Sequence, residues 1–139
     1  MQIGVETSRA VENKRVFVVH GDEIIRAALQ FMLHDENEAH EVNNLADAYA
    51  RGADRKVDLV LLDLAIVRQE GMAVLRTTKE RLPGARILLV AERLDDAFAQ
   101  QCLTAGADGV LATPLKLETV RRKVDALLGR VSVTPLRVL

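Results

Sequence analysis

The chain of 139 residues has one cysteine, Cys102, and that scarcity removes several classes of protein at once. No internal disulfide can form, and neither a disulfide-rich secreted scaffold nor a structural zinc cluster can be built, so a reducing cytoplasm is the expected setting. Aromatic residues are nearly as scarce, with Tyr49 and three phenylalanines, which leaves no stacking platform for single-stranded nucleic acid. Neither sign of charge is in excess. The 19 Lys+Arg against 20 Asp+Glu give a net charge of -1, so nothing draws the chain as a whole to nucleic acid or anionic membranes. No apolar run reaches membrane-spanning length, and the first residues lack a basic start followed by a sustained apolar stretch. No export signal and no membrane anchor are expected. Phosphate loops of the GxxxxGK[ST] or GxGxxG type are missing, as is a nucleophile elbow around a serine, which disfavours nucleotide-binding and hydrolase classes.

What the chain does have is an alternation of short apolar runs with amphipathic stretches of helical period, all within the length of one ordinary domain. VFVV at 16–19 reads as the first strand, and Ile25, Ala28, Leu29, Met32 and Leu33 stripe a helix that Asp22 is placed to cap. The polar run HDENEAHE breaks that helix. A strand around Glu41–Asn43 follows, then a short helix in LADAYARGA closed by Gly52. DLVLLDL at 58–64 is nearly unbroken, the mark of a strand covered on both faces in a parallel sheet. Gly71 precedes the helix MAVLRTTKERL, with Met72, Leu75 and Leu82 on one side, and Pro83-Gly84 turns the chain into the strand ILLV. A fourth helix spans Asp95–Ala105, with Phe98, Cys102 and Ala105 in step. GVLA at 109–112 is the fifth strand, and Thr113-Pro114 introduces a last helix carrying Leu117, Val120, Val124, Leu127 and Leu128. Residues 1–14 are read as a tail, 15–130 as the domain, and 131–139 as a second tail or linker stub. Right-handed crossovers make the fold α/β, with a parallel sheet covered by helices on both faces.

The segments VDLVLLDL and AGADGVLATPL, together with Gly71, make the stretch Arg15–Arg130 resemble the receiver domain of bacterial two-component response regulators. The resemblance implies a flavodoxin-like, doubly wound five-stranded sheet of order 2-1-3-4-5. Its order reverses between strands one and three, where ligands of such sheets bind, and His20, Gly21, Asp22 and Asp63 then meet there. It also implies chemistry. In the family a histidine kinase passes a phosphoryl group to an aspartate ending strand three, which is Asp63 here. An acidic pair after strand one holds Mg²⁺, a hydroxyl ends strand four, and a lysine ends strand five. Those places hold His20 and Gly21, with Asp22 and Glu23 one and two residues later, then Val90 and Thr113. Val110 stands where an aromatic switch residue is common.

Phosphoryl transfer is catalysed by positioning and by neutralising charge, so losing a metal ligand and a lysine lowers both the rate and the stability of an acyl phosphate. The expected function is an atypical receiver in phosphorelay signalling, not an enzyme, acting by contacts with a histidine kinase, a regulator, an output protein or a second copy, with weak or no phosphorylation. Mg²⁺ is disfavoured. The alternative is a working phosphoacceptor at Asp63 with unorthodox metal use through Asp22 and Asp63; a second alternative is a pH or small-ligand sensor centred on His20.

Each residue also has a plainer reading. Asp22 serves as a helix cap, Asp63 as a satisfied polar remnant, and His20 as a strand-end group bonded to Asp63 or to backbone. Against these stand a protonated His20 replacing the metal's charge, and a transition-metal site of His20, Asp22 and Asp63. The cluster His34, Asp35, Glu36, Glu38 and His40 reads as a solvated helix end rather than a metal loop, and Cys102 as core. Lys116, Arg121, Arg122, Lys123 and Arg130 make the last helix basic. That helix is a solvated face or, with Val110, the fourth helix and the fifth strand, a surface for dimerisation or an output module. A flavin or cobalamin domain is permitted by the fold alone, but few strand-end residues could grip such a ligand.

Overall fold

The computed structural model describes residues 13–130, so the 131–139 tail and residues 1–12 lie outside the described residues. Strand β1 (Lys14–Val19) begins one residue before the expected boundary, and helix α1 (Glu23–Leu33) follows it. Next come β2 (Asn37–Val42), α2 (Leu45–Arg51) and β3 (Leu59–Asp63). Helices α3 (Leu64–Glu70) and α4 (Ala73–Arg81) lead to β4 (Arg86–Ala91). The chain continues as α5 (Ala97–Thr104), β5 (Gly109–Ala112) and α6 (Leu117–Leu127). The five strands form one parallel sheet in the order β2-β1-β3-β4-β5, as the resemblance implied.

Strand periodicity sorts the core into two layers, because successive side chains point to opposite faces. Phe17, Val19, Val60, Leu62, Ile87 and Leu89 go to one face, under Ala48, Val67, Leu75 and Cys102 of α2 to α5. Val16, Val18, Leu59, Leu61, Leu88 and Leu111 go to the other, under Leu29 and Leu33 of α1 and Val120 and Val124 of α6. Each fully buried leucine contributes on the order of 2 kcal/mol. Cys102 is core, as read, and burial pushes its thiol up.

Two elements differ from the reading. The second strand is Asn37–Val42 rather than a strand around Glu41–Asn43, so the run read as a helix break is largely sheet. Among the described residues it is an edge strand, paired only with β1, and needs few inward groups: Asn37, Ala39 and Val42 are buried, Ala39 in one core layer and Val42 in the other, while Glu41 is exposed. The Asn37 side-chain amide also donates to the Leu33 carbonyl at 3.1 Å, closing the end of α1. The other difference is α3, which no periodicity announced. It starts at the residue after β3 and sends Leu64 and Val67 into the core three residues apart. Gly71 ends it at φ 99, a left-handed conformation that glycine adopts without a Cβ penalty.

Candidate functional site

Strand registers decide which side chains meet. Val19 pairs with Leu62 and Asp63 with Val90, so one step beyond β1 His20 comes level with Asp63. A cavity of about 590 Å³ opens at these strand ends, lined by His20, Gly21, Asp22, Asp63, Val90 and Thr113. Glu23, expected beside them, is instead exposed in the first turn of α1 and does not line the cavity.

Asp63 is held by backbone from two sides. Its Oδ1 accepts the Ala65 N–H at 2.9 Å and so caps α3, and its Oδ2 accepts the Gly21 N–H at 3.2 Å. The strand residue that stops β3 is thus also the start signal of the next helix.

His20 is buried, and its Nδ1 accepts the Asp22 N–H at 3.0 Å. A ring nitrogen that accepts an N–H carries no proton, which assigns the ring proton to Nε2. Nδ1 also lies 3.5 Å from Asp63 Oδ2, but with its lone pair accepting the Asp22 N–H it offers Asp63 no donor. Arg26 pins the loop from below, its Nη1 donating to the His20 carbonyl at 2.8 Å.

The Asp22 carboxylate turns to its own helix, where Oδ1 accepts the N–H of Ile24 at 2.8 Å and of Ile25 at 3.4 Å. Val90 is 2% exposed and packs with Leu88 and Leu111 in the core. Its neighbour Ala91 lines the cavity too, so no hydroxyl stands at the end of β4. Thr113, whose N–H donates to the Ala91 carbonyl at 3.0 Å, brings a hydroxyl and no charge to the end of β5.

Three charged residues of the cavity wall escaped the sequence reading: Arg68 on α3, Glu92 after β4, and Asp96 at the start of α5. Arg68 Nη2 lies 3.1 Å from each Asp96 oxygen, and its guanidinium stacks on the Phe98 ring at 5.0 Å. Asp96 Oδ1 also caps α5 through the Phe98 and Ala99 N–H groups. The Ala99 N–H, and after it Arg68, hold the Asp96 carboxyl below the usual carboxylate range.

The expected partner face is only partly on one surface. Val110 is buried, and Arg121 turns to α1, donating to the Met32 carbonyl at 3.3 Å and approaching Asp35 at 3.5 Å. Val110 is thereby corrected from a surface contact to core, whereas Arg121 stays half-buried with its guanidinium turned to α1. Lys123 Nζ is likewise spent on the Val110 carbonyl at 2.6 Å, while Lys116 and Arg122 stay exposed. The polar cluster after α1 splits into pairs, His34 with Asp35 at 3.3 Å and His40 with Glu38 at 2.8 Å. Among the described residues no group of three His, Cys, Asp or Glu side chains is placed to hold a metal ion, and no helix is long and apolar enough to cross a membrane.

Comparison with known proteins gives one answer. Residues 16–125 match the family model of the response regulator receiver domain. The chain is 34% identical over 121 residues to the transcriptional regulatory protein ResD of Bacillus subtilis, covering 86% of this chain and 50% of that protein. It therefore spans half the length of that relative. It is 27% identical over 116 residues to the chemotaxis protein CheY of Halobacterium salinarum, covering 83% of this chain and 97% of that one. A response regulator from Thermotoga maritima has the same fold, with a TM-score of 0.76 at 21% identity over 84% of this chain and 98% of the other.

Proposed function

The chain belongs to the response regulator receiver family of two-component signalling, and from that premise we propose that it is an atypical member, working by protein contacts with little or no acyl phosphate on Asp63. The observation that carries this reading is the bonding of Asp63 itself. Both carboxylate oxygens are engaged by backbone N–H groups, the nearest ring nitrogen offers no donor, and the hydroxyl of Thr113 brings no positive charge.

Transfer of a phosphoryl group depends on neutralising its oxygens. Opposite charges about 4 Å apart attract by about 4 kcal/mol at an effective dielectric of 20. Losing a metal ligand and a cation from such a site slows transfer by several orders of magnitude, even after discounting for solvent. Magnesium demands hard oxygen ligands in near-octahedral array. The donors here do not fit it, because Oδ1 of Asp22 is held by its helix and His20 stands where an oxygen is needed. A His20 cation in place of the metal finds no support either, since Nδ1 is an acceptor. What remains for partners is surface. The exposed Lys116 at the N-cap of α6, with Leu117 and Arg122 on the helix, suit docking by a histidine kinase, an output protein or a second copy.

One observation favours the alternative of a working phosphoacceptor: Arg68 brings a permanent cation to the cavity wall. Incubation with magnesium and acetyl phosphate, read by intact mass, separates the two. The expected result is no stoichiometric adduct on the natural chain. The triple variant His20→Asp, Gly21→Asp, Thr113→Lys, which restores the family's charges, is expected to gain one. A Cβ at position 21 would stand 3.5 Å from Asp63 Oδ2, an ordinary contact, so the backbone there admits a side chain. A stoichiometric adduct on the natural chain, lost in Asp63→Ala, overturns the proposal.

A further inference from the structure

The cavity contains its own cation, and that cation is already spoken for. Among the described residues lining it, Arg68 is the one with a permanent positive charge, while Asp22, Asp63, Glu92 and Asp96 are acidic. Arg68 sits on the helix that Asp63 caps, and its Nη2 is shared between the two oxygens of Asp96 at 3.1 Å each. Its side chain is 52% exposed, so the pair is held in a solvent-screened setting where exchange of partners is cheap. Asp96 is no bystander. The same carboxylate caps α5 through Phe98 at 2.8 Å and Ala99 at 3.1 Å, and the arginine lies over the Phe98 ring.

We propose that Arg68 and Asp96 form a latch: a tetrahedral anion seated on Asp63 competes with Asp96 for Arg68, and the exchange is felt at the N-terminus of α5. In the resting chain the latch is closed on Asp96, which withholds from Asp63 the only permanent cation the cavity wall offers among the described residues. The inference rests on the receiver reading and names a positioning residue that reading leaves out. Arginine suits the task because its planar fork matches a carboxylate and a phosphoryl-like anion equally well, and Arg68 lines the same cavity as both Asp96 and Asp63. Departure of the guanidinium leaves Asp96 to its helix cap alone and uncovers the Phe98 ring, so an event at β3 is reported at α5 without a hydroxyl at β4 or an aromatic residue at position 110.

Asp96→Asn tests the latch with little risk to the fold, since asparagine caps a helix as well as aspartate does but carries no charge to hold Arg68. The probe is beryllium fluoride with magnesium, read by fluorine NMR as the fraction of Asp63 carrying an adduct. Asp96→Asn is expected to raise that fraction at least about five-fold at a fixed probe concentration, and Asp96→Asn with Arg68→Gln to return it to the natural level. Amide signals of Phe98 and Ala99 are expected to move with the adduct, a readout that a purely structural Arg68 would leave still. If Asp96→Asn binds no more than the natural chain, or keeps its gain without Arg68, the latch is wrong while the reading of an inert receiver stands. Full occupancy of the natural chain would instead retire that reading, and Arg68→Gln alone then decides the latch: loss of adduct supports it, and an unchanged adduct overturns it.

Discussion

The backbone N–H of Asp22 donates to Nδ1 of His20 at 3.0 Å, while the Asp22 carboxylate points the other way, onto the N–H of Ile24 at 2.8 Å. One residue therefore closes two structures, the end of β1 through its backbone and the start of α1 through its side chain. Asp22→Ala is expected to lower stability by about 1 kcal/mol, the usual worth of an N-cap, and Asp22→Asn to recover most of it. Urea unfolding measures both. Equal losses in the two variants would show that charge rather than capping is what position 22 supplies.

Gly52 was expected to close α2, and it does stand at the C-cap, at φ -89 and ψ 2, which any residue can adopt. Packing is what requires it. A Cβ there would collide with Leu82 and stand 3.0 Å from Val57 Cγ2, both buried in the core below. Gly52→Ala is therefore expected to destabilise the domain by about 1–3 kcal/mol through overpacking, visible as a lower urea midpoint. A neutral outcome would mean that Leu82 yields at little cost.

How much of this was legible depended on whether a signal was local. The stripe from Ile25 to Leu33 and the unbroken run at 59–62 are local, and they placed α1 and β3 to within a residue or two. The strand ends carrying His20 and Asp63 followed from them. β2 was misplaced because an edge strand tolerates polar residues at most positions, so NEAHEV lacks the apolar alternation that marks a half-buried strand. α3 was missed because an apolar strand runs straight into an apolar helix, and the only boundary mark is Asp63, which reads equally well as a strand end. Missing α3 meant missing Arg68. Its partner Asp96 lies 28 residues away, and only the sheet order brings the two together.

The clearest pH dependence comes from the far side of β2. Glu38 accepts from Arg55 at 3.1 and 2.7 Å and pairs with His40 at 2.8 Å; these bonds, Arg55 first, hold its carboxyl at about 2 against an ordinary 4.5. A carboxyl whose pKa is depressed by folding adds stability that is complete above its unfolded value and disappears as pH falls through the folded one. The window here runs from about 4.5 down to about 2. Arg55 is 61% exposed, so solvent screening reduces the contribution to about 1 kcal/mol. Glu38→Gln is expected to remove that amount at neutral pH and to flatten the fall in stability across the window, while above it the two proteins keep a constant difference. Urea unfolding at a series of pH values gives both curves. Equal slopes below pH 4.5 would mean that the pairs on this edge strand are too well solvated to register in folding, and that β2 is held to β1 by its ladder and by the buried Ala39 and Val42 alone.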